Sequence, residues 1–229
     1  MLEEKQSVVV EEYLQEIYLL CAGNKPVKAV HLATRLQATP STVHATLSRM
    51  QRDQLVKIDK KKKISLTEEG EEQARDLVIR HNLAENFLCN VLGIPWYQVH
   101  KHAHKLEHAM TPLVVEKLAE FLQHPQFCPH GVPIEGYSEQ FFKDSFSLDQ
   151  GKQGMLVKIV MIDESLEESE ELLKYLHDKS ITPGNEHTIS DRMNATHSLT
   201  LSSHQSQASI PFDIAQKIQV TQVKNALPR

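Results

Sequence analysis

The stretch "ATPSTVHATLSRMQRDQLVKIDKKKKISLT", residues 38–67, leaves few folds open. Thr39 can cap a helix whose first position is Pro40, where the missing N–H costs nothing. Val43, Leu47 and Met50 then recur at helical spacing and line one buried face. After them the period changes. "LVKID" and "ISLT" each alternate apolar and polar residues, the signature of half-buried strands, and four lysines fill the turn between them. Upstream, "VKAVHLATRLQ" reads as a short helix with Val30, Leu32, Ala33 and Leu36 inward. Residues 7–22 read as a longer one with Val10, Leu14, Ile17, Tyr18 and Cys21 at helical spacing, and "AGNKP" breaks the chain between the two. Helix, helix, turn, helix, basic hairpin is the order of a winged helix-turn-helix.

Charge supports that reading. Between Lys25 and Lys63 ten basic residues face only Asp53 and Asp59, a net +8, whereas the whole 229-residue chain carries −5 and the remainder therefore −13. A basic segment on this framework is the electrostatic footprint of a double-stranded DNA reader. Thr39, Pro40, Ser41, Thr42, His44 and Ala45 lie at the start of the recognition helix, where side chains reach base edges. Small residues there favour hydroxyl and methyl contacts, with much of the sequence read through DNA shape. Arg49, Arg52, Lys60, Lys61, Lys62 and Lys63 are placed for phosphates. The plainer reading is that lysines keep a turn soluble and that Ser41 and Thr42 serve only the helix start.

Downstream the chain is rich in histidine. "HKHAHKLEHAM", residues 100–110, puts His100, His104, Glu107 and His108 at i, i+4, i+7 and i+8, one face of a helix, while His102 falls on another side. A helix earlier, His81 and Glu85 stand at i and i+4, ordinarily a surface pair. Two neighbouring helices bearing such faces point instead to a divalent metal. Imidazole with carboxylate suits Mn2+, Fe2+, Co2+ or Zn2+. Glu11, Glu12 and Glu16 near the N-terminus are further carboxylates. Cys21, Cys89 and Cys128 form no close pair and are read as reduced thiols outside this constellation, so a thiolate zinc site is not expected. "HKLEH" is not H-E-x-x-H, and neither a phosphate loop nor G-x-S-x-G is present, so the chain is not expected to be an enzyme. Acids stand where a signal peptide carries basic residues, and no apolar run approaches the ~18 residues of a membrane span. A cytoplasmic protein without a membrane partner is expected.

Residues 124–151 hold clustered prolines and glycines and read as a linker. "KQGMLVKIVMID" follows as a strand and "EESEELLKYLHDKSITPG" as a helix. The alternating stretches "HSLTLSS", "ASIPFDI" and "QKIQVTQV" then read as a small β barrel.

"EEYLQEIYLL", "ATRLQATPSTVHATLSRMQRDQLV", "LTEEGEEQARDLVIRHNLAENFL" and "VHKHAHKLEHAM" together make residues 11–110 resemble the diphtheria toxin repressor family of iron- and manganese-dependent transcriptional repressors. The resemblance implies a mainly α fold with small β parts. It comprises a winged helix-turn-helix domain over 1–74, a helical dimerisation and metal domain with linker over 75–144, and an SH3-like (FeoA-like) β barrel over 145–229. It implies a primary metal site of Glu12, His104, Glu107 and His108 and an ancillary site of His81, Glu85 and His100. Glu168 or Glu170 of "EESEE" would add a carboxylate to the latter. The family carries Met or Asp at the position of Glu12 and Cys or Glu at that of His104. Gln15 stands where the manganese type has a second carboxylate. The metal is thus expected to be Mn2+ or Fe2+, with Co2+, Ni2+ or Zn2+ able to substitute in vitro. The function implied is that of a homodimeric repressor that binds palindromic operator DNA when metal-loaded and controls metal homeostasis. A winged-helix regulator responding to a small organic ligand is the alternative.

Overall fold

The structure is a computed structural model and describes residues 7–22, 26–135, 143–167, 169–203 and 206–223. Two compact units divide the chain, residues 1–81 with 106–112 and residues 82–105 with 113–229.

In the first unit, α1 (Val8–Ala22), α2 (Ala29–Arg35) and α3 (Pro40–Arg52) precede the hairpin β1 (Val56–Ile58) and β2 (Ile64–Leu66). The hairpin pairs Val56 with Leu66 and Ile58 with Ile64, and Val27 bridges to Ile64 from the chain before α2. Leu14, Ile17, Leu32, Val43, Leu47, Met50, Leu55 and Ile64 form one core, each nearly sealed from water. Apolar burial of this kind stabilises by about 25 cal/mol per Å2. Val30, expected to point inward, is 61% exposed; the short α2 buries Leu32 instead. Thr67 begins α4 (Glu68–Asn86): its Oγ1 accepts the Gly70 N–H at 3.0 Å, its hydroxyl donates to the Gln54 carbonyl at 2.6 Å, and Glu68, Glu69 and Glu71 occupy the positive end of the helix dipole.

The second unit continues α4 into a π-helical turn, Phe87–Val91, and contains α5 (Val99–Glu107) up to Lys105 and α6 (Pro112–Phe121) from Leu113. Strands β3 (Ser145–Ser147), β4 (Leu156–Ile162), β5 (Glu186–Met193), β6 (Ser198–Ser202), β7 (Gln207–Pro211) and β8 (Ile218–Gln222) form an antiparallel sheet in the order β3-β8-β4-β5-β6-β7. Register shifts at Ile159/Met161 and Ile189/Asp191 bend it. Helix α7 (Glu170–Asp178) buries Leu173 and Leu176 against its core. The short α8 (Phe212–Ala215) lies between β7 and β8.

Two expectations change here. "FDI" is expected to continue a strand, but Pro211 cannot donate to a ladder and a helical turn starts after it. Residues 124–151 are not a linker throughout. Residues 127–134 form a folded loop tied to α4, with Asn82 Nδ2 donating to the Pro133 carbonyl at 3.0 Å and Asn86 Nδ2 to that of Phe127 at 3.1 Å. Leu148, also within this stretch, is fully buried in the sheet's core. Side-chain amides and apolar residues spaced without period fold this stretch, so its proline content misleads. Residues 136–142 of the expected linker lie outside the described residues.

Candidate metal centres and nucleic-acid face

Helix α3 opens as its sequence dictates. Thr39 Oγ1 accepts the Thr42 N–H at 3.2 Å, and Pro40, Ser41, Thr42, His44 and Ala45 are exposed along its first turns. The hairpin turn is held by Asp59, whose Oδ1 accepts the N–H groups of Lys61 and Lys63 at 2.8 Å each. This leaves the side chains of Lys60, Lys61, Lys62 and Lys63 in solvent. The two arginines are less available. Arg52 Nε donates to Asp53 at 2.8 Å, and the half-buried Arg49 donates from Nη2 to Ser7 Oγ at 2.9 Å.

In the second unit, Glu85, His100, His130 and Glu167 converge. His100 Nδ1 lies 2.7 Å from Glu167 Oε2 and 3.6 Å from Glu85 Oε1. His130 Nδ1 lies 3.1 Å from Glu85 Oε2 and 3.5 Å from Glu167 Oε1. Both carboxylate side chains are 1% exposed, and neither oxygen of Glu167 accepts a hydrogen bond among the described residues. Two buried carboxylates this close are costly unless positive charge lies among them. His130 Nε2 lies 3.2 Å from the Trp96 carbonyl, which can only accept, so that nitrogen carries the proton and Nδ1 is turned toward the carboxylates. A backbone carbonyl behind an imidazole is the usual support of a metal-ligating histidine. Burial opposes a charge on His130, but Glu167 and Glu85 together outweigh it and raise its pKa. Cys128 is fully buried beside Glu85; burial, reinforced by Glu85 and Glu167, pushes its thiol well above the usual range. His81 stands one turn before Glu85 on α4. The donors are imidazole, carboxylate and one thiol, a set suited to borderline divalent ions, so the residues present fit a metal.

The first unit holds a second convergence. Glu12 on α1 and His108 at the end of α5 offer ligand atoms within 4.8 Å of one another. His108 Nδ1 lies 2.8 Å from Glu11 Oε2, and Arg80 approaches the other oxygen of Glu11 at 4.0 Å. Glu107 is fully buried. Its Oε2 contacts His81 Nδ1 and its Oε1 lies 3.4 Å from His108 Nε2. His104 is one turn before His108, and its ring stacks parallel to that of His100 at 6.5 Å, which puts both on one face of α5. His102 is exposed, off that face.

Three protein-family models match consecutive parts of the chain. They are the iron dependent repressor N-terminal DNA binding domain over residues 5–64, the iron dependent repressor metal binding and dimerisation domain over 67–136, and the FeoA domain over 146–222. The iron-dependent repressor IdeR of Mycobacterium tuberculosis is 30% identical over 224 residues, 93% of this chain and 96% of that protein. The chain belongs to the diphtheria toxin repressor family. The diphtheria toxin repressor of Corynebacterium diphtheriae is likewise 30% identical, over 93% of this chain and 96% of that one. Among solved structures, a manganese-dependent transcriptional repressor complex with manganese is similar at a TM-score of 0.79 and 25% identity, covering 93% of this chain and all of that one. The family is one of iron- and manganese-dependent transcriptional repressors.

Within this family member, some expected site residues stand elsewhere. The carboxylate from the C-terminal region that joins Glu85 and His100 is Glu167. Glu170 instead faces solvent in part and binds Gln98 Nε2 at 2.6 Å and the Lys101 ammonium at 2.5 Å. It sits in the first turn of α7, where its carboxylate reaches Lys101, while Glu167 precedes the helix and is turned inward. Glu168 lies outside the described residues. Cys128, expected apart from the constellation, is in it, and His130 joins it without any helical spacing to mark it. Its one signal in the sequence is "CPHG", a cysteine and a histidine two residues apart in a loop. Gly131, at φ +87°, lets this loop lie on β4: a Cβ there would sit 2.1 Å from the Val160 carbonyl oxygen. Glu11, one of the three N-terminal carboxylates, touches His108.

Proposed function

We propose that this chain is a cytoplasmic, non-enzymatic, homodimeric repressor that binds palindromic operator DNA when loaded with Mn2+ or Fe2+ and controls genes of metal homeostasis. Residues 1–74 serve as the DNA-binding domain, 75–144 as the dimerisation and metal domain, and 145–229 as the SH3-like domain. The observation that carries the reading is the convergence of buried carboxylates and imidazoles on α4 and α5 in a chain whose winged helix carries a net +8 over residues 25–63 while the remainder is net acidic. Glu12, His104, Glu107 and His108 would hold one ion; Glu85, His100 and Glu167 would hold another, with His81 one turn away. The ion would supply positive charge among these buried carboxylates. Glu12 ties α1 to the end of α5, and α1 packs on α2 and β2 of the winged helix. Ordering of Glu12 therefore reports directly on the placement of the DNA-reading elements, and a ligand that favours that placement shifts the population toward the DNA-competent state. The exposed apolar side chains Val91, Leu92, Leu113, Val114 and Phe121 support a second copy as partner. No helix among the described residues is long and apolar enough to cross a membrane. Calorimetric titration of the chelated, full-length protein with Mn2+ tests the reading: stoichiometric binding is expected, and its absence would favour an organic effector.

A further inference from the structure

Each of the two carboxylates between His100 and His130 is split between them. Glu85 presents Oε1 to His100 at 3.6 Å and Oε2 to His130 at 3.1 Å. Glu167 presents Oε2 to His100 at 2.7 Å and Oε1 to His130 at 3.5 Å. Glu85 accordingly belongs to two groups of ligand atoms, one with His100 and Glu167 and one with Cys128 and His130. Two carboxylates that each face both imidazoles outline two cation positions that share both acids. The His130 side has its own further donor, since Cys128 lies with His130 and Glu85 in one group of ligand atoms within 4.8 Å. The His100 side is a nitrogen and oxygen set, while the His130 side adds sulfur. Every one of these side chains belongs to the second unit and is buried or nearly so. His130 is fixed from behind by the Trp96 carbonyl, and the loop that carries it is fixed by Trp96 Nε1, which donates to the Pro129 carbonyl at 2.9 Å, and by the His130 carbonyl, which accepts the Ile162 N–H at 2.8 Å. A histidine held in this way is oriented as a metal ligand requires. Two-metal sites bridged by carboxylates hold their ions about 3.5–4 Å apart, which one carboxylate spans with its two oxygens.

We propose that Glu85 and Glu167 bridge a pair of divalent ions, one completed by His100 and the other by His130 and Cys128. This rests on the reading of the protein as a metal-binding repressor and deepens it. The second position, with its sulfur, binds softer ions such as Zn2+ or Fe2+ more tightly than Mn2+, and Mn2+ in excess with no competing ion fills it as well.

The test uses the full-length protein carrying His108→Ala, which removes a ligand of the N-terminal site and leaves all five donors of the pair intact. After anaerobic dialysis against Mn2+, metal per chain is measured by mass spectrometry and the ions are examined by low-temperature electron paramagnetic resonance. Two ions per chain with an exchange-coupled spectrum are expected. Adding Cys128→Ser and His130→Gln should leave one ion with an uncoupled spectrum; circular dichroism verifies that this variant is folded. One uncoupled ion in the His108→Ala protein itself overturns the pair while leaving the site standing. No bound ion there overturns the pair as well, and no bound ion in the wild-type protein either overturns the reading on which the pair rests.

Discussion

At the scale of single residues, helical spacing distinguishes histidines that look alike in composition. His102 is exposed, whereas His81 is 1% and His108 9% exposed. His108→Ala should abolish metal-activated operator binding, because it strips a donor that faces Glu11 and Glu107 and lies near Glu12. His81→Ala should weaken activation without eliminating it, and His102→Ala should leave it near the wild-type level. Operator affinity measured against Mn2+ for the three variants side by side decides this. An equal loss for His102 and His108 would contradict the assignment of one face. The i, i+4 pattern makes His81, Glu85, His100, His104 and His108 legible in the sequence. Cys128, His130 and Glu167 are not, because they come from a loop and from the chain ahead of a helix, where no period marks a shared direction. Gly131 gives a second residue-scale expectation. Its positive φ and the 2.1 Å clash awaiting a Cβ mean that Gly131→Ala should destabilise the second unit by about 2–5 kcal/mol, the sum of backbone strain and overpacking. It should also reduce metal uptake at His130. Urea denaturation followed by tryptophan fluorescence reads the first effect, since the single Trp96 packs against His130 with ring centroids 4.5 Å apart. An unchanged midpoint would refute it.

At the scale of elements, the switch from helical to alternating periodicity locates α3, β1 and β2 within a residue or so, and Thr39 and Pro40 mark the start of α3 because capping chemistry is local. The folded loop of residues 127–134 escapes such reading for the opposite reason: its order comes from Asn82, Asn86 and Trp96, all distant in sequence. The wing turn is where element and function meet. Lys60 to Lys63 are exposed point charges on a backbone organised by Asp59. Replacing Lys60 and Lys61 by Ala should weaken specific and non-specific DNA binding alike and flatten the salt dependence by about 0.9 in slope per lost phosphate contact. Fluorescence titrations across a range of KCl concentrations supply the slope. A changed base preference at constant slope would be inconsistent with phosphate contact. Arg49 and Arg52 should contribute less than their charges imply, because Ser7 and Asp53 already hold them.

At the scale of the whole molecule, the chain separates its charge. The +8 of residues 25–63 sits in the first unit, while the acidic remainder supplies the carboxylates that a cation would neutralise. That partition is legible in the sequence, as is the order of domains, because charge and periodicity are additive along the chain. The sharing of Glu85 and Glu167 between two histidines is not, since it depends on which oxygen faces which ring. The central claim is that the metal governs DNA binding through residues that tie α1 to α5. Fluorescence anisotropy of a labelled palindromic operator, titrated with the full-length protein in Mn2+ and again after chelation, tests it most directly. Tight, saturable binding in Mn2+ that collapses to weak, salt-sensitive association with chelator is the predicted result; equal affinity in both conditions would contradict the account.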